Sequence, residues 1–99
     1  MLTNLAQPAL GEIDRTLDTL EARILQAEHQ LAQRADPSEH CDVIAILLAS
    51  LPLATVDFSV ASSHVKNALT YFQQGEPGAA RFELHLILGI VRGLRDQCR

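Results

Sequence analysis

The strongest pattern in this sequence is a run of apolar residues, three and four positions apart, in its first third. This spacing places them along one narrow side of a helix and is typical of helices that pack lengthwise against another helix. Pro8 suits the first turn of such a helix because a missing N–H costs nothing there. The pattern predicts a helix over residues 8–35. Its seam comprises Leu10, Ile13, Leu17, Leu20, Ile24, Ala27 and Leu31.

A second predicted helix covers residues 37–51. Asp36, Pro37 and Glu39 combine a capping side chain, a proline at the first helical position and a glutamate that can bond back to the cap. Pro52 removes a backbone donor and disfavours helical geometry in the residue before it, so we expect a break or sharp kink there. Apolar positions cover about two thirds of this helix's circumference, which indicates a central position.

Two more helices are predicted over residues 57–74 and 78–97. Asp57 can cap the third helix, whose apolar stripe begins at Phe58, and Gly75 can end it in a left-handed conformation. The fourth helix is apolar on two sides, one of which carries Phe82, Leu86 and Ile90. A helix with two apolar sides needs neighbours on both.

The predicted architecture is therefore an all-α bundle of four mostly antiparallel helices, with residues 1–99 forming a single domain. A first helix of about 42 Å would outrun a compact chain of this size, which is about 33 Å across. The excess apolar surface predicts a homodimer formed through the first helix, the fourth helix, or both. The expected interface residues are Leu10, Ile13, Leu17, Leu20, Ile24, Leu31, Phe82, Leu86 and Ile90.

Composition narrows the class of protein. Eight basic and twelve acidic residues give a net charge of −4, and the basic residues are scattered along the chain, so we do not expect nucleic-acid binding. Two cysteines cannot build the disulfide framework of a small secreted domain. With no secretory signal and no apolar stretch long enough to span a bilayer, the sequence predicts a cytoplasmic protein without a membrane partner.

Few residues are arranged for chemistry. Cys41 lies near the start of the second helix, where the helix dipole favours a thiolate, but it also projects onto the apolar side of that helix. A reactive thiol and a buried core residue are both consistent with this position. Paired metal-ligand spacings, phosphate-binding loops and nucleophile motifs are absent from the sequence, so we expect no catalytic residue, cofactor or metal and do not expect an enzyme.

A long first helix, a turn, Cys41 near the start of the next helix and His64 further on together resemble the small helical repressors that sense copper, nickel or formaldehyde. In that family a cysteine at this place and a later histidine bind the effector. This chain departs from the pattern: Ala68 stands where a further cysteine often occurs, Pro52 interrupts the second helix, and the first helix is not basic. The resemblance implies a ligand- or metal-responsive sensor or repressor that uses Cys41 and His64.

The apolar helical surfaces favour a different class of function. Proteins that bind other proteins typically have more apolar helix surface than one chain can bury. This sequence has that feature and lacks a recognisable set of catalytic residues. We therefore expect a small acidic binding module, such as an adaptor, chaperone, immunity factor or regulator. Its expected partners are a second copy of itself and another protein.

Overall fold

A computed structural model describes residues 10–97 of the chain, which form four α-helices and no strand within that range. They are α1 (Leu10–Ala32), α2 (Ser38–Ala49), α3 (Thr55–Gln73) and α4 (Pro77–Gln97). The all-α prediction with four helices is confirmed. The predicted start at residue 8 lies outside the described residues.

The helices pack as a closed ring around one apolar core. Each helix packs on the helix that follows it in the chain, and α4 returns to pack on α1. Every helix contributes buried side chains, for example Leu20 from α1, Ile44 from α2, Val65 from α3 and Leu84 from α4. No polar or charged residue of the described range is buried, so the core is held by apolar packing.

The apolar seam of α1 is buried inside the chain itself. From Ile13 to Leu31 its members are between 0% and 8% exposed, because α2 and α4 cover them. The expectation that these residues contact a second copy is corrected here, since two helices of the same chain already occupy the seam. The side chain of Leu10, the remaining predicted seam residue, lies outside the described residues.

The C-terminus of α1 comes three residues before the predicted one. Arg34 adopts a left-handed conformation with φ 59°, and the N–H of Ala35 donates to the carbonyl oxygen of Gln30 at 2.8 Å. This arrangement closes the last turn and satisfies carbonyl groups that have no partner further along the helix. The chain then turns back towards α2.

The start of α2 differs from the predicted cap: the helix begins at Ser38, Pro37 takes the N-cap position instead of the first helical position, and Asp36 lies one residue before it. The Asp36 carboxylate accepts a hydrogen bond from the backbone N–H of Ser38 at 2.9 Å and another from the Ser38 hydroxyl, and these two bonds lower the pKa of Asp36. The first backbone bond of the helix runs from the N–H of Cys41 to the carbonyl oxygen of Pro37. Residues 50–54, which include Pro52, separate α2 from α3, as the predicted break requires.

The two ends of α3 differ in how well the sequence predicts them. Asp57 does not cap the helix, because α3 begins two residues earlier, at Thr55. Asp57 instead lies within the first turn, where its negative charge interacts favourably with the helix dipole. At the other end, Gly75 takes a left-handed φ of 77°, as predicted, and α4 begins directly afterwards at Pro77.

Candidate protein-binding site

Exposed apolar side chains concentrate around the connection between α2 and α3. The described residues include six large apolar side chains that are exposed, and four of them lie between residues 46 and 60. We call these four the junction surface: Ile46, Val56, Phe58 and Val60, which are 66%, 71%, 38% and 43% exposed.

The exposure continues along the first turns of α3. The first residues of α3, 55–60, are all exposed, and its first buried side chain is Ala61. The N-terminal part of α3 is therefore a helical segment with apolar side chains and little cover from the rest of the bundle.

A shallow groove lies beside Phe58, one member of the junction surface. It has a volume of about 250 Å³ and is lined by Ala49, Leu51, Leu53, Thr55 and Phe58. This volume is below the roughly 300–1,000 Å³ of sites that enclose small molecules. The lining contains no titratable side chain. The groove is suited to receive one or two apolar side chains.

A second groove of about 390 Å³ continues from the α2–α3 connection towards the C-terminal part of α4. Leu53 and Asp57 line one side, and Ile90 and Leu94 line the other. The predicted interface residues of α4 extend away from this groove at intervals of four residues, which places them on one side of the helix. Phe82 is 60% exposed, and Leu86 and Ile90 are partly buried, so this stripe remains accessible at the surface.

A groove of about 620 Å³ between α1 and α4 has a charged lining. Its charged side chains pair with one another: Arg95 lies 2.8 Å from the carboxylate of Asp18, and Arg92 lies 3.4 Å from that of Glu21. The hydrogen bond to Asp18 raises the pKa of Arg95. These pairs bridge the two helices and point to a structural role for the groove.

His64 has a polar partner on the neighbouring helix. Its Nδ1 lies 3.0 Å from a carboxylate oxygen of Glu83, and the Asn67 amide donates to the same oxygen at 2.9 Å. Burial tends to raise the pKa of Glu83, but the hydrogen bonds from His64 and Asn67 outweigh it, so that the pKa lies below its ordinary value. This cluster links α3 to α4.

Cys41 is fully buried in the core. Burial, with a smaller contribution from the charges of Asp42 and Asp36, raises the pKa of its thiol to about 11. Metal ligation and nucleophilic reactivity both need the thiolate, which this environment disfavours. Of the two interpretations of Cys41, these surroundings favour that of a buried core residue.

The structure gives Cys41 and His64 separate surroundings, the first in the apolar core and the second in a polar cluster with Glu83. Within residues 10–97, no three histidine, cysteine, aspartate or glutamate side chains are grouped closely enough to hold a metal ion. A sensor function that uses Cys41 and His64 stays a prediction.

Sequence reasoning missed the junction surface. Phe58 is predicted to begin a buried stripe but is 38% exposed, and α2, predicted to be central, carries the exposed Ile46. The apolar periodicity does not separate these exposed positions from buried ones, because it does not specify which helix covers each face.

None of the helices in the described range combines the length and the apolar character that a membrane span requires. No protein-family model, curated protein or solved structure matches this chain.

Proposed function

We propose that this chain is a small cytoplasmic protein-binding module, of the adaptor, chaperone, immunity or regulatory kind, that acts through apolar helical surfaces. The observation that carries the proposal is the concentration of four large exposed apolar side chains around the α2–α3 connection. Single exposed apolar residues are normal on soluble proteins, but a concentration of them typically marks an interaction site.

The groove beside Phe58 supports the same function. Its apolar lining and volume of about 250 Å³ suit a side chain delivered by another protein. A partner that places an apolar side chain there would remove Phe58 and its neighbours from water. The main driving force for binding would be apolar burial.

We further infer a mostly antiparallel helix order. Asp18 pairs with Arg95 and Glu21 with Arg92, so that a later position on α1 pairs with an earlier position on α4. This is the pairing expected of two antiparallel helices.

We also propose that a second copy binds through the outer stripe of α4, formed by Phe82, Leu86 and Ile90. The support is the partial exposure of this stripe, combined with the burial of the α1 seam inside the chain. Sedimentation velocity at micromolar concentration tests the homodimer. A dimer that Phe82→Glu converts into a folded monomer supports it, and a strictly monomeric wild-type protein contradicts it.

Site-specific photocrosslinking tests the binding function. A photoreactive amino acid at position 46 is expected to form covalent adducts with a discrete partner in cells of the native source. The same amino acid at position 12, an exposed site on α1, serves as the matched control. Adducts at 46 should disappear when Phe58→Ser is added, because that change removes an apolar side chain from the groove.

The proposal is contradicted if positions 46 and 12 give the same adducts, or if position 46 gives none. A circular dichroism spectrum and an unfolding curve for each variant show whether a lost adduct reflects a lost surface or a lost fold. Phe58→Ser is expected to remain folded because this side chain is exposed.

A further inference from the structure

We propose that the junction surface binds a cationic amphipathic helix from another protein. This inference rests on the proposed binding function and names the chemistry of the partner. It follows from the charges around the surface, the line of side chains along α2 and the position of the groove.

The outer side of α2 carries acidic and apolar residues in a fixed order. Glu39, Asp42, Ile46 and Ala49 are spaced by three, four and three residues, which places them on one stripe of the helix. All four are exposed. Two carboxylates thus lie at the N-terminal end of the stripe, and apolar side chains lie at the end next to the groove.

The sequence around α2 adds negative charge, and the structure places one cation beside it, Arg23 of α1, whose guanidinium lies 3.3 Å from the Nδ1 of His40. Between residues 35 and 65 the chain has four acidic residues, all exposed, and neither lysine nor arginine. Asp57, which lies between Val56 and Phe58 in the sequence, lines the neighbouring groove toward α4. Lysine or arginine on the partner would complement these charges and speed its association.

The stripe also sets the size of the partner segment. Glu39 and Ala49 are ten positions apart, which corresponds to about 15 Å along the helix axis. A partner helix that lies along α2 would place an apolar side chain in the groove beside Phe58. Its basic residues would be found about two to three turns away, next to Asp42 and Glu39.

A second copy of this chain is a poorer occupant. In a two-fold contact each copy would present the same surface, and residues 35–65 of either copy supply no lysine or arginine to face Glu39 and Asp42. Burying those carboxylates without a cation would cost free energy. The proposed homodimer uses α4 instead and leaves α2 available.

Fluorescence anisotropy with a labelled synthetic peptide tests the proposal on the full chain. The probe is a helical peptide of about fourteen residues, built from leucine and lysine with the apolar side chains on one face. Two control peptides accompany it. One has the same composition in an order that destroys the apolar face, and the other has glutamate in place of every lysine.

We expect the cationic amphipathic peptide to bind and both control peptides to bind at least about tenfold more weakly. Binding should weaken as salt is added, because rim charges are screened. Asp42→Lys and Ile46→Ser should each weaken binding by about fivefold or more.

Matched control variants separate this site from general attraction between opposite charges. Glu12→Lys reverses an exposed acidic residue on α1, and Leu25→Ser removes an exposed apolar side chain on the same helix. Both should leave the affinity for the peptide within about twofold of wild type. Reversing Glu12 changes the net charge by the same amount as reversing Asp42, so the comparison isolates the position of the charge.

The inference is overturned if the scrambled peptide binds as well as the ordered one, or if Glu12→Lys weakens binding as much as Asp42→Lys. It is also overturned if Ile46→Ser abolishes self-association, which would assign the surface to a second copy. Tighter peptide binding after deletion of residues 1–9 would assign it to the N-terminal segment and overturn the proposal as well. Partner adducts at position 46 without peptide binding would retain the proposed function and reject a cationic helix.

Discussion

The contact between α1 and α4 and the junction surface use apolar residues in opposite ways. Along α1, Leu17, Leu20 and Ile24 are fully buried, and ion pairs to Arg92 and Arg95 bridge the rim of the contact. Around the α2–α3 connection, Ile46 and Val56 are more than 60% exposed. The apolar side chains of the first region are buried within the chain, whereas those of the second region face the solvent.

This difference indicates which residues the fold itself requires. A buried leucine stabilises the native state by leaving water and by filling space that would otherwise be a cavity. An exposed valine contributes little to either effect. Exposed apolar residues gathered in one region are therefore better explained by an interaction than by the stability of the bundle.

The largest expected effect is that of Leu20→Ala in the α1 seam. Leu20 is fully buried, so the substitution removes apolar contacts and leaves a cavity, at a cost of about 2–5 kcal/mol of unfolding free energy. Urea denaturation followed by circular dichroism measures it, with Leu25→Ala as the matched control on an exposed position of the same helix. Equal effects of the two substitutions would contradict the assignment of the seam to the core.

Cys41→Ser tests the part of the same core that α2 contributes. The hydroxyl group replaces a thiol that has no exposed surface, and burying it should cost about 1–3 kcal/mol. Thiol labelling in a Cys98→Ser background gives an independent measurement, because Cys41 is then the only cysteine.

Labelling of Cys41 should be very slow in the native protein and fast in urea. With a pKa of about 11, only roughly one thiol in a thousand is ionised at pH 8. If Cys41 in the native Cys98→Ser protein were labelled at a rate close to that of a free thiol, this would instead indicate an accessible, activated cysteine. Such a rate would support the sensor hypothesis.

Glu83→Gln is expected to have a smaller effect that depends on pH. The folded-state pKa of Glu83 lies below its ordinary value of 4.5, so its charged form stabilises the fold above that value, and this contribution is lost as the pH falls through the folded-state pKa. We expect the variant to be about 1 kcal/mol less stable near neutral pH.

The difference between wild type and Glu83→Gln should shrink as the pH falls through the lowered folded-state pKa of Glu83, because the wild-type carboxyl then becomes protonated. Urea denaturation at a series of pH values measures it. Glu12→Gln provides the control, since Glu12 is an exposed carboxylate on α1. A difference that stays constant down to acid pH would show that the charge of Glu83 does not stabilise the contact with His64.

Much of this fold could be predicted from local signals in the sequence. The three-and-four spacing from Ile13 to Leu31 identifies the buried side of α1, Pro52 marks the break after α2, and Gly75 marks the end of α3. Each signal acts within a few residues of its own position, through side-chain periodicity, a missing backbone donor or a left-handed conformation.

What the local pattern cannot reveal is which partner covers each apolar face. The seam of α1 was expected to contact a second copy, but α2 and α4 of the same chain cover it. Conversely, Phe58 fits the apolar stripe of α3, yet it is exposed because the connection after α2 leaves the start of α3 with little cover. Coverage depends on how the helices are arranged in space, which helical periodicity does not specify.

Val56→Ser carries the smallest expected effect on stability and separates the two regions most sharply. Val56 is 71% exposed, so its replacement should change the unfolding free energy by less than about 0.5 kcal/mol. Val65→Ser, on the same helix but only 5% exposed, should cost at least about 1 kcal/mol because it buries a hydroxyl group and removes core contacts. Parallel urea denaturation of the two variants measures the difference. If Val56→Ser were as destabilising as Val65→Ser, the start of α3 would belong to the core, and its valine would no longer indicate a surface kept apolar for binding.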